Sequence, residues 1–307
     1  MVVLFLVTFL VFGEVSCLVA LNGTGSSLAG IIYEQYIFAY SLVQPNVTIT
    51  YTSTGSGAGI SAIESDSVIW AGSDAVLVNS DYEKVPTIQQ YPFLAGSVIP
   101  IYHLPELEGR DVLNLGREEI GCIFGGVIRM WNDPKIVALN PNLASKLPAA
   151  PILVVVREDT SGTTEIFTNS LSSMSPTFRS IVGGTTYFPD AFTAGKNFIR
   201  QPQNEGVVAA VRVFKHSIGY CSLSYILTAP IPFAAVVNKA GTLVTNALDG
   251  VSEAGTTSFQ QKHKKFTFPK KNELFGQLIM LCSIQGSTLP FMIFQEQILG
   301  QLQGFRT

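Results

Sequence analysis

The amino-acid sequence predicts an α/β fold, and three observations lead there. Short apolar, β-branched runs of strand length alternate with segments of helical periodicity. Four of the strand-to-turn junctions carry glycine together with serine or threonine, and three of them open a helix. Hydrophobic residues make up 47% of the 307, ample for a core, while charged residues are 13% with a net charge of −3. That balance gives no nucleic-acid surface. In open α/β sheets, ligands bind outside the carboxyl ends of the strands, where such turns collect.

The elements follow in order. Residues 1–12 are nearly all apolar, with Glu14 and Ser16 after them. That run is too short to span a bilayer and reads as the core of a secretory signal peptide, residues 1–17, although no basic residue precedes it. Lipid anchoring at Cys17 is the alternative, disfavoured because Glu14-Val15-Ser16 is a poor lipidation sequence. Residues 21–28, L-N-G-T-G-S-S-L, are a strand entering a Gly/Ser turn, and residues 31–40 a helix. Residues 47–51 alternate as a strand, enter the turn 52–59 and continue as a helix at 60–63. A third junction runs from residues 68–70 into A-G-S-D-A at 71–75. No Lys or Arg occurs before Lys84, so this first part is acidic.

Residues 92–105 are apolar and β-branched, a crossing strand; residues 110–131 read as one helix that Asn132-Asp133-Pro134 stops. The fourth junction is the most telling. Residues 152–156 form a buried strand that ends in R-E-D-T-S-G-T-T-E-I-F, residues 157–167, and a helix follows. A helix start presents unpaired N–H groups and the positive end of the helix dipole. Arg157 adds a planar, permanently charged fork of donors beside it, which makes an anion site; the alternative is a capped helix beside a solvated arginine. Residues 204–214 read as an amphipathic helix and 217–225 as a strand.

Other features narrow the classes. No turn matches G-x-x-x-x-G-K-[ST], and G-T-G-S-S-L lacks the third glycine of G-x-G-x-x-G. A hydrolase needs a nucleophile with a base in reach, and His103, His216 and His263 lie outside every Gly/Ser turn. With the leader removed, Cys122, Cys221 and Cys282 remain. Their spacing fits no zinc site; buried free thiols are expected, with a Cys122–Cys221 bridge left open. Asn22 and Asn46 begin glycosylation sequons, informative in a eukaryotic host. The lysine cluster at 262–271 reads as a solvated segment.

Seven motifs in register carry a family resemblance. They are G-T-G-S-S-L at 23–28, Y-x-S-x-G-S-G-A-G-I at 51–60, A-G-S-D-A at 71–75 and G-x-I-x-x-W-N-D-P at 126–134. The run at 157–167, N-E-G-V-x-A-A-V at 204–211 and S-I-G-Y at 217–220 complete the set. Together they resemble the phosphate-binding protein of the bacterial phosphate ABC transporter and its relatives, over residues 21–251. The resemblance implies a two-lobed, periplasmic binding protein-like (type II) α/β fold with the ligand in a cleft between lobes. Residues 18–91 and 229–307 would form lobe one and 92–228 lobe two. Past residue 251 the resemblance fades, and 259–307 lacks the W-P-I-type strand of the family.

Carried over residue by residue, the resemblance implies phosphate contacts from Ser27, Leu28, Ser56, Asp74, Arg157, Ser161, Gly162 and Thr163. Ser27 and Leu28 replace a threonine and a phenylalanine, and Thr160 replaces a common glycine. Asp74 would accept the proton of hydrogen phosphate, Arg157 would be the sole charged donor, and Asp159 would orient it. The expected protein is an extracytoplasmic, monomeric binder of inorganic phosphate with no cofactor or metal. Its partner would be a transporter permease in a bacterial host. The competing readings are a secreted adhesion module with a degenerate site and a secreted phosphate-releasing hydrolase.

Overall fold

The computed structural model describes residues 19–94, 96–107, 111–228, 230–238, 240–244 and the backbone of 281–284. The expected signal peptide and the lysine cluster lie outside them. From the N-terminus the chain runs β1 (Val19–Gly25), α1 (Gly30–Ser41), β2 (Val47–Ser53), α2 (Ser56–Glu64), β3 (Trp70–Ser73), α3 (Asn79–Lys84) and β4 (Gln89–Pro92). It continues through β5 (Val98–His103), β6 (Asn114–Leu115), α4 (Arg117–Phe124), α5 (Pro134–Leu139) and β7 (Leu153–Arg157). Then come α6 (Gly162–Met174), α7 (Pro176–Ile181), α8 (Asp190–Thr193), β8 (Phe198–Gln201), α9 (Gln203–Val213), β9 (Ser217–Ser222) and α10 (Leu223–Thr228). The short strands β10 (Ala235–Val237), β11 (Leu243–Val244) and β12 (Leu281–Ile284) follow.

The fold is two-lobed α/β, and each lobe is built on one of the two larger sheets. The first has the order β2-β1-β3-β12-β4, with β1 parallel to both β2 and β3. β12 lies antiparallel between β3 and β4, so residues from the segment where the family resemblance fades pair into this sheet. The second has the order β5-β9-β7-β8, with β9 antiparallel to β5 and β7 parallel to β8 and β9. β10 pairs in parallel with β6 and antiparallel with β11, and Phe233 bridges Ile101 of β5.

The parallel strands β7 and β9 are buried on both faces: Val154, Val155 and Val156 in the β-branched β7, and every residue of β9, whose small Ser, Gly and Cys residues leave room for close packing. The largest enclosed side chains, among them Trp131, Tyr102, Tyr220, Phe124, Phe167, Phe178 and Phe188, pack around this second sheet. Phe167 stacks on Tyr220 with centroids 4.3 Å apart. Cys122 and Cys221 are free thiols, buried in different clusters, so the open question of a bridge is resolved against it. Among the described residues, no helix is long and apolar enough to cross a membrane.

Two expected elements differ. The helix expected over 110–131 is only α4: Asn114 and Leu115 pair with β10 as β6 before it, and after it Gly126 turns the chain at φ 69°, where an L side chain is strained. Val127 N–H then closes the end by donating to Cys122 O at 2.8 Å. Asp133 does not stop a helix but starts one: its Oδ1 accepts from Lys135 N–H at 2.9 Å and Pro134 takes the first position of α5. The strand expected over 217–225 ends at Ser222, and Tyr225 lies in α10.

Candidate functional site

The register of three adjacent strands gathers the first group of side chains. Gly25 of β1 lies level with Ser53 of β2 and with Gly72 of β3, so three carboxyl ends and their turns converge. The turns are knitted through the backbone: Gly25 O accepts from Thr54 N–H and Gly55 N–H, both at 2.8 Å, and Ser26 N–H donates to Gly72 O at 2.8 Å. Gly59 on α2 makes this approach possible, since a Cβ there would stand 2.7 Å from Gly25 Cα.

Asp74 sits at the centre of these turns and is 6% exposed. Ser26 Oγ–H donates to its Oδ1, Thr163 Oγ1–H donates to its Oδ2 at 3.2 Å, and its own N–H donates to Ser56 Oγ at 3.1 Å. Burial pushes the Asp74 pKa up to about 6, against the Ser26 hydrogen bond and the Arg157 charge, which hold it down. Leu28 N–H, expected to face a ligand, donates instead to Ser26 Oγ at 3.0 Å.

The second group hangs from the end of β7. Arg157 is 1% exposed although it carries a full charge. Its Nε–H donates to Asp159 Oδ1 at 2.8 Å and its Nη2–H to Asp159 Oδ2, a paired fork. Its Nη1 is buried with no hydrogen-bond partner among the described residues. Behind it, Arg157 N–H donates to Tyr220 Oη at 3.3 Å, and Tyr220 Oη shares a 2.7 Å hydrogen bond with Thr164 Oγ1. Burial pushes the Tyr220 hydroxyl up to about 12, so it stays neutral beside the arginine. Ser161 caps α6: its Oγ accepts from Thr164 N–H at 3.2 Å.

The two groups meet. Gly57 N–H donates to Thr160 O at 3.0 Å. Gly162, the first residue of α6, lies against the third turn so tightly that a Cβ would fall 2.5 Å from Ala75 N and from Asp74 Cβ. Asn204 Nδ2–H donates to Ser27 Oγ at 2.9 Å and approaches Thr163 Oγ1 at 3.4 Å, while its Oδ1 accepts from Ser222 N–H. The eight residues expected to contact a ligand are all buried, Asp159 is half-buried beside them, and these contacts join the turns of the first sheet to the start of α6 and to Asn204.

Sequence reasoning passed over Ser26, Asn204 and Tyr220. Asn204 opens N-E-G-V and Tyr220 closes S-I-G-Y, so their motifs were visible, but a motif does not say which members point inward. The histidines lie elsewhere; His216 Nε2 shares a 2.7 Å hydrogen bond with Glu106.

Chemically, a fixed guanidinium with one unpaired nitrogen, a ring of hydroxyls and one buried carboxylate suit a small oxyanion that carries at least one proton.

A family model described as a PBP superfamily domain matches residues 16–273. The chain is 34% identical over 231 residues to "Phosphate-binding protein PstS" of Methanocaldococcus jannaschii, covering 74% of this chain and 59% of that protein. It is 34% identical over 226 residues to the Haemophilus influenzae protein of the same name, covering 73% and 64%. The chain thus spans somewhat under two thirds of the length of these relatives. Among solved structures, a high affinity periplasmic phosphate-binding protein bound with phosphate superposes with a TM-score of 0.60 at 18% identity, over 87% of this chain and 80% of that one. A phosphate-binding protein from Stenotrophomonas maltophilia gives 0.59 at 21% identity, over 87% and 78%. At these identities the structures speak for the fold.

Proposed function

The chain belongs to the PBP superfamily, and from that premise we propose that it binds inorganic phosphate outside the cytoplasm, in the cleft between its two lobes. The observation that carries the reading is the pair of opposite charges held out of water: Arg157, with Nη1 unpartnered among the described residues, and Asp74. A buried cation with a spare donor calls for an anion. A buried carboxylate beside it calls for a proton on that anion.

In this reading Arg157 Nη1 supplies the charged donor and Asp159 holds the other guanidinium nitrogens away from the ligand. Ser27, Ser56, Ser161 and Thr163 supply hydroxyls, the start of α6 at Gly162 supplies backbone N–H groups, and Asp74 accepts the phosphate proton. Leu28 N–H takes part once Ser26 Oγ turns away from it. The relatives named for phosphate binding support the substrate. The division into lobes is the one expected, residues 18–91 and 229–307 against 92–228; the pairing of β12 with β3 supports the return of the chain to the first lobe, while the pairing of β10 with β6 favours counting residues 230–238 and 240–244 with the second. Residues 1–17 serve as the secretory leader, and the chain works as a monomeric binder and not as a catalyst. A transporter permease is its partner where the host is bacterial.

Isothermal titration of the mature chain with phosphate tests this. Hydrogen bonds to charged groups contribute roughly 1.5–3 kcal/mol each, so Arg157→Ala is expected to weaken phosphate at least about tenfold. Arg157→Lys is expected to weaken it too, through loss of the fork. Unchanged affinity in the Ala variant removes the site.

A further inference from the structure

Gln203 opens α9 in a conformation that side chains avoid, with φ at 57°. A non-glycine residue persists in the left-handed region where its surroundings over-determine it, and such residues cluster at functional sites. Two bonds hold this one. Its N–H donates to Asp159 Oδ1 at 2.9 Å, the same oxygen that receives Arg157 Nε–H. Its side-chain Nε2–H donates to Ser53 O at 2.6 Å, at the carboxyl end of β2 on the opposite sheet. One residue thus joins the carboxylate that aims the arginine to the backbone of the facing lobe.

We propose that Gln203 is a strap that ties closure of the two lobes to the aim of Arg157. The inference rests on the phosphate reading for its ligand and adds a positioning residue that does not touch the anion. When the lobes meet, the amide reaches Ser53 O, and the same residue's backbone pins Asp159. Asp159 then fixes Nε and Nη2, leaving Nη1 as the free donor. When the lobes part, the amide loses Ser53 O. The strained backbone then has one anchor instead of two, and the restraint on Asp159 slackens. Closure and charge alignment are thereby the same event, and ligand release requires the strap to break first.

Three variants test it in the mature chain. Gln203→Asn keeps an amide and tolerates the left-handed backbone but lacks the reach to Ser53. Gln203→Ala removes the amide and keeps the N–H. Gln203→Glu sets a carboxylate against the Ser53 carbonyl. A single net hydrogen bond corresponds to about threefold to tenfold. Phosphate dissociation by stopped flow is expected to quicken by about that factor in the Asn and Ala variants and by more in Glu. Association should stay within about twofold, because the strap forms after encounter. The phosphate-to-sulfate affinity ratio should not move.

Wild-type dissociation rates in all three variants overturn the strap, and a shifted phosphate-to-sulfate ratio does so as well by placing Gln203 on the anion. If the wild-type chain fails to bind phosphate, the functional reading falls, and small-angle scattering of the ligand-free proteins decides the strap by itself. A larger radius of gyration in Gln203→Asn than in wild type then upholds it, and identical radii overturn it.

Discussion

On the phosphate reading, Asp74 would let one side chain select between two anions of nearly equal size. Its carboxylate already receives Ser26 Oγ–H and Thr163 Oγ1–H. When ionised it can only accept further hydrogen bonds. Hydrogen phosphate would bring a proton to it, whereas sulfate would present a lone pair and a charge to a carboxylate that is 6% exposed. An unsatisfied buried charged group costs upwards of about 1–3 kcal/mol, so sulfate is expected to bind at least about tenfold more weakly near neutral pH. The pKa of about 6 gives this a direction. Above it Asp74 is ionised and repels sulfate; below it the protonated acid has a hydrogen to donate. Sulfate affinity should therefore rise as pH falls through about 6. Asp74→Asn, which can donate at every pH, should bind sulfate better at pH 7 and lose that pH dependence. Titrations of sulfate at pH 5 and pH 7.5 in both proteins check it, and a wild-type affinity for sulfate that is flat across this range would leave Asp74 a structural residue only.

At the scale of elements, two glycines separate what builds a lobe from what brings two lobes together. Gly59 lets α2 lie against the end of β1, within a single sheet-and-helix unit; an added Cβ would press on Gly25 Cα at 2.7 Å. Gly162 lets the start of α6 lie against the Asp74 turn of the other lobe, with an added Cβ 2.5 Å from Ala75 N. Both neighbours are backbone, which has little room to yield. Gly59→Ala is expected to lower folding stability by about 1–3 kcal/mol, as overpacking does. Gly162→Ala sits at a helix start with helical geometry, so in the ligand-free protein the lobes relieve the contact by separating. It should melt within a degree or two of wild type and still lose most of its phosphate affinity. Thermal melts and titrations of the two variants are expected to show this opposite pattern; a large drop in melting temperature for Gly162→Ala without ligand would mean that the contact belongs to the folded core.

For the whole molecule, the described arrangement is one in which the lobes touch through Gly57 and Thr160, Ser27 and Asn204, Asp74 and Thr163, and Ser53 and Gln203. Each of these contacts lies at the carboxyl end of a strand or in the first turn of the helix that follows one, so closing the lobes would bury the site in the same step. An anion seated among them would bind the closed, folded state in preference to open or unfolded chains. Phosphate at about 100 times its dissociation constant should then stabilise by about 2.7 kcal/mol, seen as a higher melting temperature. The radius of gyration should fall in the same titration, and absence of both changes at saturation would argue against a cleft site.

The local text of the chain was enough for the strand-turn-helix units, because β-branched runs, glycine-hydroxyl turns and helical periodicity are written over a few neighbouring residues. The ends of β1, β2 and β7 and the starts of α6 and α9 lie within a few residues of where those signals put them. Where a local signal was ambiguous, the reading failed. Asn132-Asp133-Pro134 suits a helix stop or a helix start equally, and only the hydrogen bond from Lys135 N–H to Asp133 decides between them. Residues 223–228 can extend a strand or form a turn of helix, and packing made them α10. The family motifs named Arg157, Asp74 and the hydroxyls, since their spacing is itself sequence. The pairing of Ser26 with Asp74, of Asn204 with Ser27 and of Gln203 with Ser53 joins residues 48, 177 and 150 positions apart. Composition and periodicity act over a turn or two of chain and carry no term for such distances. Sheet register and the meeting of the two lobes supply it, and through them the tertiary structure decides which hydroxyls serve the carboxylate and which nitrogen of the arginine is left without a partner among the described residues.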